Sequence, residues 1–213
     1  MKDNVFFASG IDTNVGKSYA TGYLAKTWNE QGVRTITQKF IQTGNVGMSE
    51  DIELHRKIMG TGLLPEDESG LTMPEIFTYP CSPHLAAEID HRPIDFDKIE
   101  KATRQLSETY DAVLLEGAGG LMVPLTRDLL TIDYVAQKNY PLIFVTSGKL
   151  GSINHTLLSL EAVTRRGIRL HTVAYNLFPE EDDDIIRRDT EAYISDLLAK
   201  EYPETHFVIV PKL

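Results

Sequence analysis

The residues that most narrow the folds open to this chain run from Val5 to Lys26, VFFASGIDTNVGKSYATGYLAK. They read as an apolar strand, a glycine-framed turn ending in Gly-Lys-Ser, and a helix. A helix start offers unpaired N–H groups and the positive end of the helix dipole, so an anion is favoured there. Gly16 lets the backbone approach a phosphate with no Cβ in the way. Lys17 adds a mobile cation, and Ser18 offers a hard oxygen suited to Mg2+. The usual phosphate-loop spacing is glycine, four residues, then Gly-Lys-Ser/Thr. Here five residues, Ile11 to Val15, separate Gly10 from Gly16. A plain turn with a chance Gly-Lys-Ser is the alternative, and the strand before and helix after weigh against it.

The same alternation continues along the chain. Strands are expected over 4–9, 34–40, 112–117, 141–147, 171–178 and 206–211, with amphipathic helices over 17–31, 95–110, 153–166 and 182–202. Several strands are apolar on consecutive residues, the pattern of a parallel sheet covered on both faces. The expected fold is α/β: a doubly wound, mostly parallel sheet with helices on both faces. The stretch 42–83 is irregular, with a short helix near 51–59, and excursions of this kind often carry function. No repeat or linker divides the chain, so residues 1–213 read as a single domain, a size with room for a packed core.

Composition excludes several function classes. Twenty-one basic against thirty-one acidic side chains give a net charge of −10, which repels nucleic acid and anionic membrane in bulk. The acidic run 179–184 reads as a solvated helix start. A lone cysteine, Cys81, suits a reducing cytoplasm; no leader is expected at the N-terminus, and no apolar run reaches membrane-spanning length. Six histidines lack zinc-site spacing, no Gly-x-Ser-x-Gly elbow occurs, and His84 reads as structural.

Four further stretches can do chemistry beside the loop. In YDAVLLEGAGGLMVPL, Glu116 follows a buried run at a strand's carboxyl end, where open α/β sheets bind ligands. A carboxylate there is costly unless paired or metal-bound, so Glu116 is a candidate Mg2+ ligand, with capping as the alternative. The following Gly117, Ala118 and Gly119 leave backbone free to approach a ligand; a dinucleotide fingerprint fails because Met122 stands where it needs glycine. Lys39, closing the second strand, can point toward the loop or into solvent. Asp51 is a second magnesium-side carboxylate or an N-cap. The segment TSGKLGSINH gives a second helix start near Ile153 on the same sheet edge, able to hold a carboxylate, with a plain turn between strand and helix as the alternative.

Together GIDTNVGKS, EGAGGLMVPL, KLGSINH and SPHLAA, with QKFIQTG and the closing VPKL, resemble the dethiobiotin synthetase family of the deviant P-loop NTPase superfamily over essentially the whole chain. The five-residue spacing is part of that family's pattern. The resemblance implies a P-loop NTPase-like three-layer sandwich and a cytoplasmic enzyme. Its substrates would be ATP, CO2 and 7,8-diaminononanoate, with Mg2+ as cofactor, and its reaction would run through a carbamate and a carbamic-phosphoric anhydride to dethiobiotin, ADP and phosphate. Thr13, Asn14, Val15, Gly16, Lys17 and Ser18 would hold phosphates, with Ser18, Asp51 and Glu116 around the metal and Gly117, Ala118 and Gly119 nearby. Lys39 and Lys17 would be catalytic, and Thr43 would contact substrate. Asn176 and Pro211 would hold the base. The family is a homodimer, in which Lys149, Gly151, Ser152, Ile153, Asn154 and Tyr193 would reach the partner's substrate.

Departures from the pattern are Asn14 in place of glutamate, Phe40 in place of proline, and Leu177 in place of aspartate, which leaves the base preference open. A regulatory deviant-loop ATPase that binds partner proteins is the alternative reading; Asp12, where such switches carry an additional lysine, counts against it.

Overall fold

The structure, a computed structural model, describes residues 4–178 and 183–212. Six strands form one sheet in the order β2-β5-β1-β6-β7-β8: β1 (Val5–Gly10), β2 (Thr35–Lys39), β5 (Ala112–Gly120), β6 (Leu142–Ser147), β7 (Leu170–Asn176) and β8 (His206–Val210). Every neighbouring pair is parallel. A separate two-stranded pair, β3 (Gln42–Thr43) and β4 (Ile76–Phe77), lies inside the irregular stretch.

The consecutive apolar runs divide between two faces, as a period of two requires. Phe7, Val113, Leu115, Leu142, Phe144 and Val173 pack with Ile99 and Leu106 of α5 (Phe96–Thr109), Ile132 of α6 (Thr131–Lys138), Leu160 of α7 (Ser152–Arg165) and Ile194 of α8 (Asp184–Glu201). Ala8, Leu114, Ile143, Val145 and Ala174 face Ala20, Leu24 and Ala25 of α1 (Lys17–Glu30). The doubly wound sandwich expected from the sequence is the fold.

Helix starts fall into two kinds. Side chains of Ser49, Asp95 and Asp183 accept first-turn N–H groups of α2 (Glu50–Met59), α5 and α8. The acidic run therefore does begin a helix, although residues 179–182 lie outside the described residues, as does Leu213 at the end of VPKL. By contrast, α1 and α7 begin at left-handed glycines, Gly16 and Gly151, with no side-chain cap, although the Ser152 N–H of α7 donates to the Lys149 carbonyl at 2.9 Å. Gly16 is fixed twice over: its φ is +85°, and a Cβ there would stand 1.9 Å from Asn176 Nδ2.

Three local readings differ. Strand β5 runs on to Gly120, past the expected end at 117, with a register shift against β1 between Ala8 and Gly10; a Cβ on Gly117 would sit 2.8 Å from the Phe7 ring. Three helices, α3 (Pro65–Glu68), α4 (Pro83–Ile89) and α6, were not expected; each is short and begins without a side-chain cap from its N-cap residue, which gives a weak start signal. Asp51 does not cap α2, since Ser49 Oγ takes that role.

Candidate active site

The carboxyl ends of β1, β2 and β5 meet α2 around a cavity of about 530 Å3. Thr13, Asn14, Gly16, Lys17 and Ser18 line one wall, with Lys39, Thr43, Asp51, Glu116, Ala118 and Gly119 opposite and around them. The loop, the second-strand lysine and both carboxylates thus share one space.

At its centre is a cluster of charge. Ser18 Oγ donates toward Asp51 Oδ1 at 2.5 Å and also lies 2.9 Å from Glu116 Oε1. Lys39 Nζ sits 2.5 Å from Asp51 Oδ2 and 2.8 Å from Glu116 Oε1, and donates to the Gly117 carbonyl at 3.3 Å. Glu116 is fully buried. Burial alone would raise its pKa, but Lys39 and His55 hold the carboxyl well below the usual range. Burial would likewise lower the Lys39 pKa, and the two carboxylates overcome it and raise the ammonium above its ordinary value.

Lys17 is buried at 7% exposure and bends back to the Asp12 carbonyl, 2.8 Å away. Burial, aided by the like charge of Lys39, lowers its pKa to about 8, against the opposing pull of Glu116, Asp51 and Asp12. The loop carries a cation that is ready to gain from a phosphate.

Among the described residues no group of three or more His, Cys, Asp or Glu is gathered to hold a metal. That does not exclude magnesium, which is held by one or two carboxylates and completed by waters and phosphates. Ser18 Oγ within hydrogen-bond reach of oxygens from both Asp51 and Glu116 is an all-oxygen donor set of that kind.

The remaining expected residues lie elsewhere. Val15 packs its side chain under α1, and its carbonyl accepts from Asn176 Nδ2 at 2.9 Å. Asn176 is fully buried and supports the loop from below, its Oδ1 accepting from Phe178 N–H at 3.2 Å. Pro211 follows β8 one strand farther along the sheet. Gly151 opens α7 after β6, beside β1; Ser152 is buried with its hydroxyl 3.1 Å from that of Ser147. Lys149, Asn154 and, on α8, Tyr193 are exposed, Ile153 is partly so, and none of the α7-start residues lines the cavity. His84 lies in α4 and does not line it either.

Sequence reasoning missed Tyr19, Gln42, Glu50 and Phe178 as cavity-lining residues. It also missed the buried His55, whose Nε2 is 2.8 Å from Glu116 Oε2. A signal existed: His55 follows Asp51 by four residues in α2, one turn along the same helix face.

Among the described residues no helix is long and apolar enough to cross a membrane. A family model described as an AAA domain matches residues 4–211. The chain is 52% identical over 206 residues to an ATP-dependent dethiobiotin synthetase BioD 2 of Pasteurella multocida, covering 97% of this chain and 96% of that one. To the protein of the same name from Haemophilus influenzae it is 57% identical over 184 residues, 86% of this chain and 96% of that one. In fold it is similar to the MinC:MinD cell division protein complex of Aquifex aeolicus, with a TM-score of 0.56 at 12% identity over 99% of this chain and 82% of that one. It also spans about 60% of the length of FtsY chains that share the fold. With the loop, Lys39 and both carboxylates in one cavity and identities above 50% over most of its length, the chain belongs to the ATP-dependent dethiobiotin synthetase family.

Proposed function

We propose that this cavity closes the ureido ring of dethiobiotin from 7,8-diaminononanoate, CO2 and MgATP. The chain is an ATP-dependent ligase forming C–N bonds in biotin biosynthesis. The observation that carries the assignment of roles is the convergence of Ser18, Lys39, Asp51 and Glu116 beside the open start of α1.

In this reading one substrate amine takes up CO2 as a carbamate, the carbamate oxygen attacks the γ-phosphorus, and the second amine displaces phosphate. No protein nucleophile is required, because the substrate's amines supply both new bonds; positioning and charge do the rest. Loop N–H groups from Thr13 to Ser18, with Gly119 near them, cradle the phosphates, and Lys17 follows charge on the β- and γ-groups. Magnesium, when bound, would neutralise phosphate charge beside Ser18, Asp51 and Glu116. Lys39 stabilises the carbamate and the transferring phosphoryl group. Thr43, lining the cavity from β3, is in reach of the amine end. Asn176 acts first by fixing the Val15 carbonyl, and base contact by Asn176 and Pro211 belongs to the same proposal.

The exposed start of α7 (Lys149, Gly151, Asn154, with Ser152 and Ile153) and Tyr193 would bind the substrate carboxylate in a partner's cavity. Exposed Leu158 on α7 and Ile185 on α8 support a homodimer through that side. The regulatory-switch reading is not favoured, since close relatives carry the synthetase name.

The test supplies labelled bicarbonate, MgATP and the diamine, then counts acid-stable radioactivity. A cyclic urea retains label in acid and a carbamate does not. ATP turnover that ignores the diamine and leaves no retained label refutes the assignment.

A further inference from the structure

Glu116 has two oxygens in different company. Oε1 faces Ser18 and Lys39, and Oε2 faces His55 Nε2 alone, at 2.8 Å. The His55 ring is fully buried, with Nδ1 3.0 Å from Thr37 Oγ1. That hydroxyl already accepts from Arg56 Nη1 at 2.8 Å, and Arg56 is itself clamped by Asp67 through two contacts of 2.8 Å. An ionised carboxylate can only accept, so the contact with Glu116 puts a ring proton on Nε2, and the Thr37 hydroxyl, which accepts from Arg56, keeps its own proton to donate to Nδ1. Among the described residues Asp51 has no such support: it is partly exposed, and its carboxylate meets Ser18 and Lys39.

We infer that His55 is a positioning residue for the reaction: by donating Nε2–H to Glu116 Oε2, and being held in that tautomer by Thr37 and Arg56, it fixes the carboxylate so that only Oε1 is presented to the cavity. The inference rests on the reading that Glu116 faces magnesium. Partners that orient a metal-binding carboxylate without touching the metal are typically worth about 10–100-fold in metal affinity or activity. His55 does not line the cavity, so its effect runs through Glu116 and leaves diamine contacts alone.

The experiment compares His55→Leu, His55→Asn and His55→Gln for Mn2+ affinity of the complex with a non-hydrolysable ATP analogue, read from the free-Mn2+ spin resonance signal. Glutamine places its amide near Nε2 and keeps the donor to Glu116; asparagine places it near Nδ1 and does not. The Leu and Asn variants should lose at least about tenfold in Mn2+ affinity while Gln stays within about threefold of the parent, with the KM for the diamine unchanged in all three. Unaltered affinity in His55→Leu, or a Gln variant as weak as Leu, overturns the inference, and if the Leu variant does not fold the Asn and Gln pair decides. Nitrogen NMR of the unsubstituted protein should find His55 protonated on Nε2; a proton on Nδ1 alone overturns it as well. Glu116→Gln separates the two layers. Retained Mn2+ affinity there sinks the magnesium assignment itself, and lost affinity there with retained affinity in His55→Leu sinks only the role of His55.

Discussion

Replacing Lys39 with methionine keeps the stem and removes the charge. From sequence alone, a strand-end lysine is expected to be removable without harm to the fold. Its burial between two carboxylates says otherwise. At 2.8 Å from Glu116, opposite unit charges attract by about 6 kcal/mol at an effective dielectric constant near 20. Desolvation of the ammonium offsets part of this, so breaking the pair is expected to cost about 3–5 kcal/mol. Because His55 still holds the other Glu116 oxygen, the lower end, about 3 kcal/mol, is the working figure. Urea denaturation without nucleotide or metal measures it, alongside the expected loss of turnover. The diagnostic arm is Lys39→Met combined with Glu116→Gln. If the cost is a stranded buried carboxylate, neutralising that carboxylate recovers about 2 kcal/mol of coupling. A single variant destabilised by less than about 1 kcal/mol, or a double variant whose losses simply add, refutes the reasoning.

Gly16→Ala should weaken nucleotide binding at least about tenfold, since alanine at φ +85° costs about 1–2 kcal/mol and its Cβ collides with Asn176; calorimetric titration with an ATP analogue checks it. Asn176→Ala removes the bond to the Val15 carbonyl and leaves that buried acceptor unpaired, so a loss of about 1–3 kcal/mol in stability is expected by denaturation. His171 governs part of the acid response. Burial first, then His206 and Arg169, lower its pKa from 6.5 to about 4. The unfolded chain therefore binds the proton more readily between those values, and stability falls as pH drops from about 6.5 toward 4. The full shift corresponds to about 3 kcal/mol, discounted to roughly half for a partly exposed ring. His171→Phe should flatten that slope in pH-dependent melts, and an unchanged slope counts against it.

The sheet was legible because its evidence is local and repeated: six apolar runs, interspersed with four amphipathic helical patterns. The phosphate loop was legible because Gly16, Lys17 and Ser18 are adjacent in the chain and their chemistry needs no distant partner. Glu116 announced itself as a charge at the edge of a buried run. What sequence could not supply was company. The role of Lys39 depended on whether β2 lies beside β5, and it does, with Lys39 opposite Glu116 in the parallel register. His55 carried a signal in its spacing from Asp51, but its partner Glu116 lies sixty-one residues away and only the fold brings the two together. Gly117 also serves a purpose that sequence did not show, the close approach of the Phe7 ring on the neighbouring strand.

The ion pairs of the site bear on how Lys39 could act in the proposed reaction. It touches Asp51, Glu116 and the Gly117 carbonyl at once, three acceptors for the three protons of an ammonium. A lysine so engaged has no donor left for a carbamate or a phosphoryl oxygen. It gains one only if another cation takes over the carboxylates. In the proposed reaction Ser18, Asp51 and Glu116 Oε1 are the oxygens such a cation would use, so magnesium held there would free Lys39 to donate. The ion pairs themselves keep Glu116 charged and Lys39 protonated. A nucleotide-bound structure in which Lys39 still grips both carboxylates would exclude this coupling.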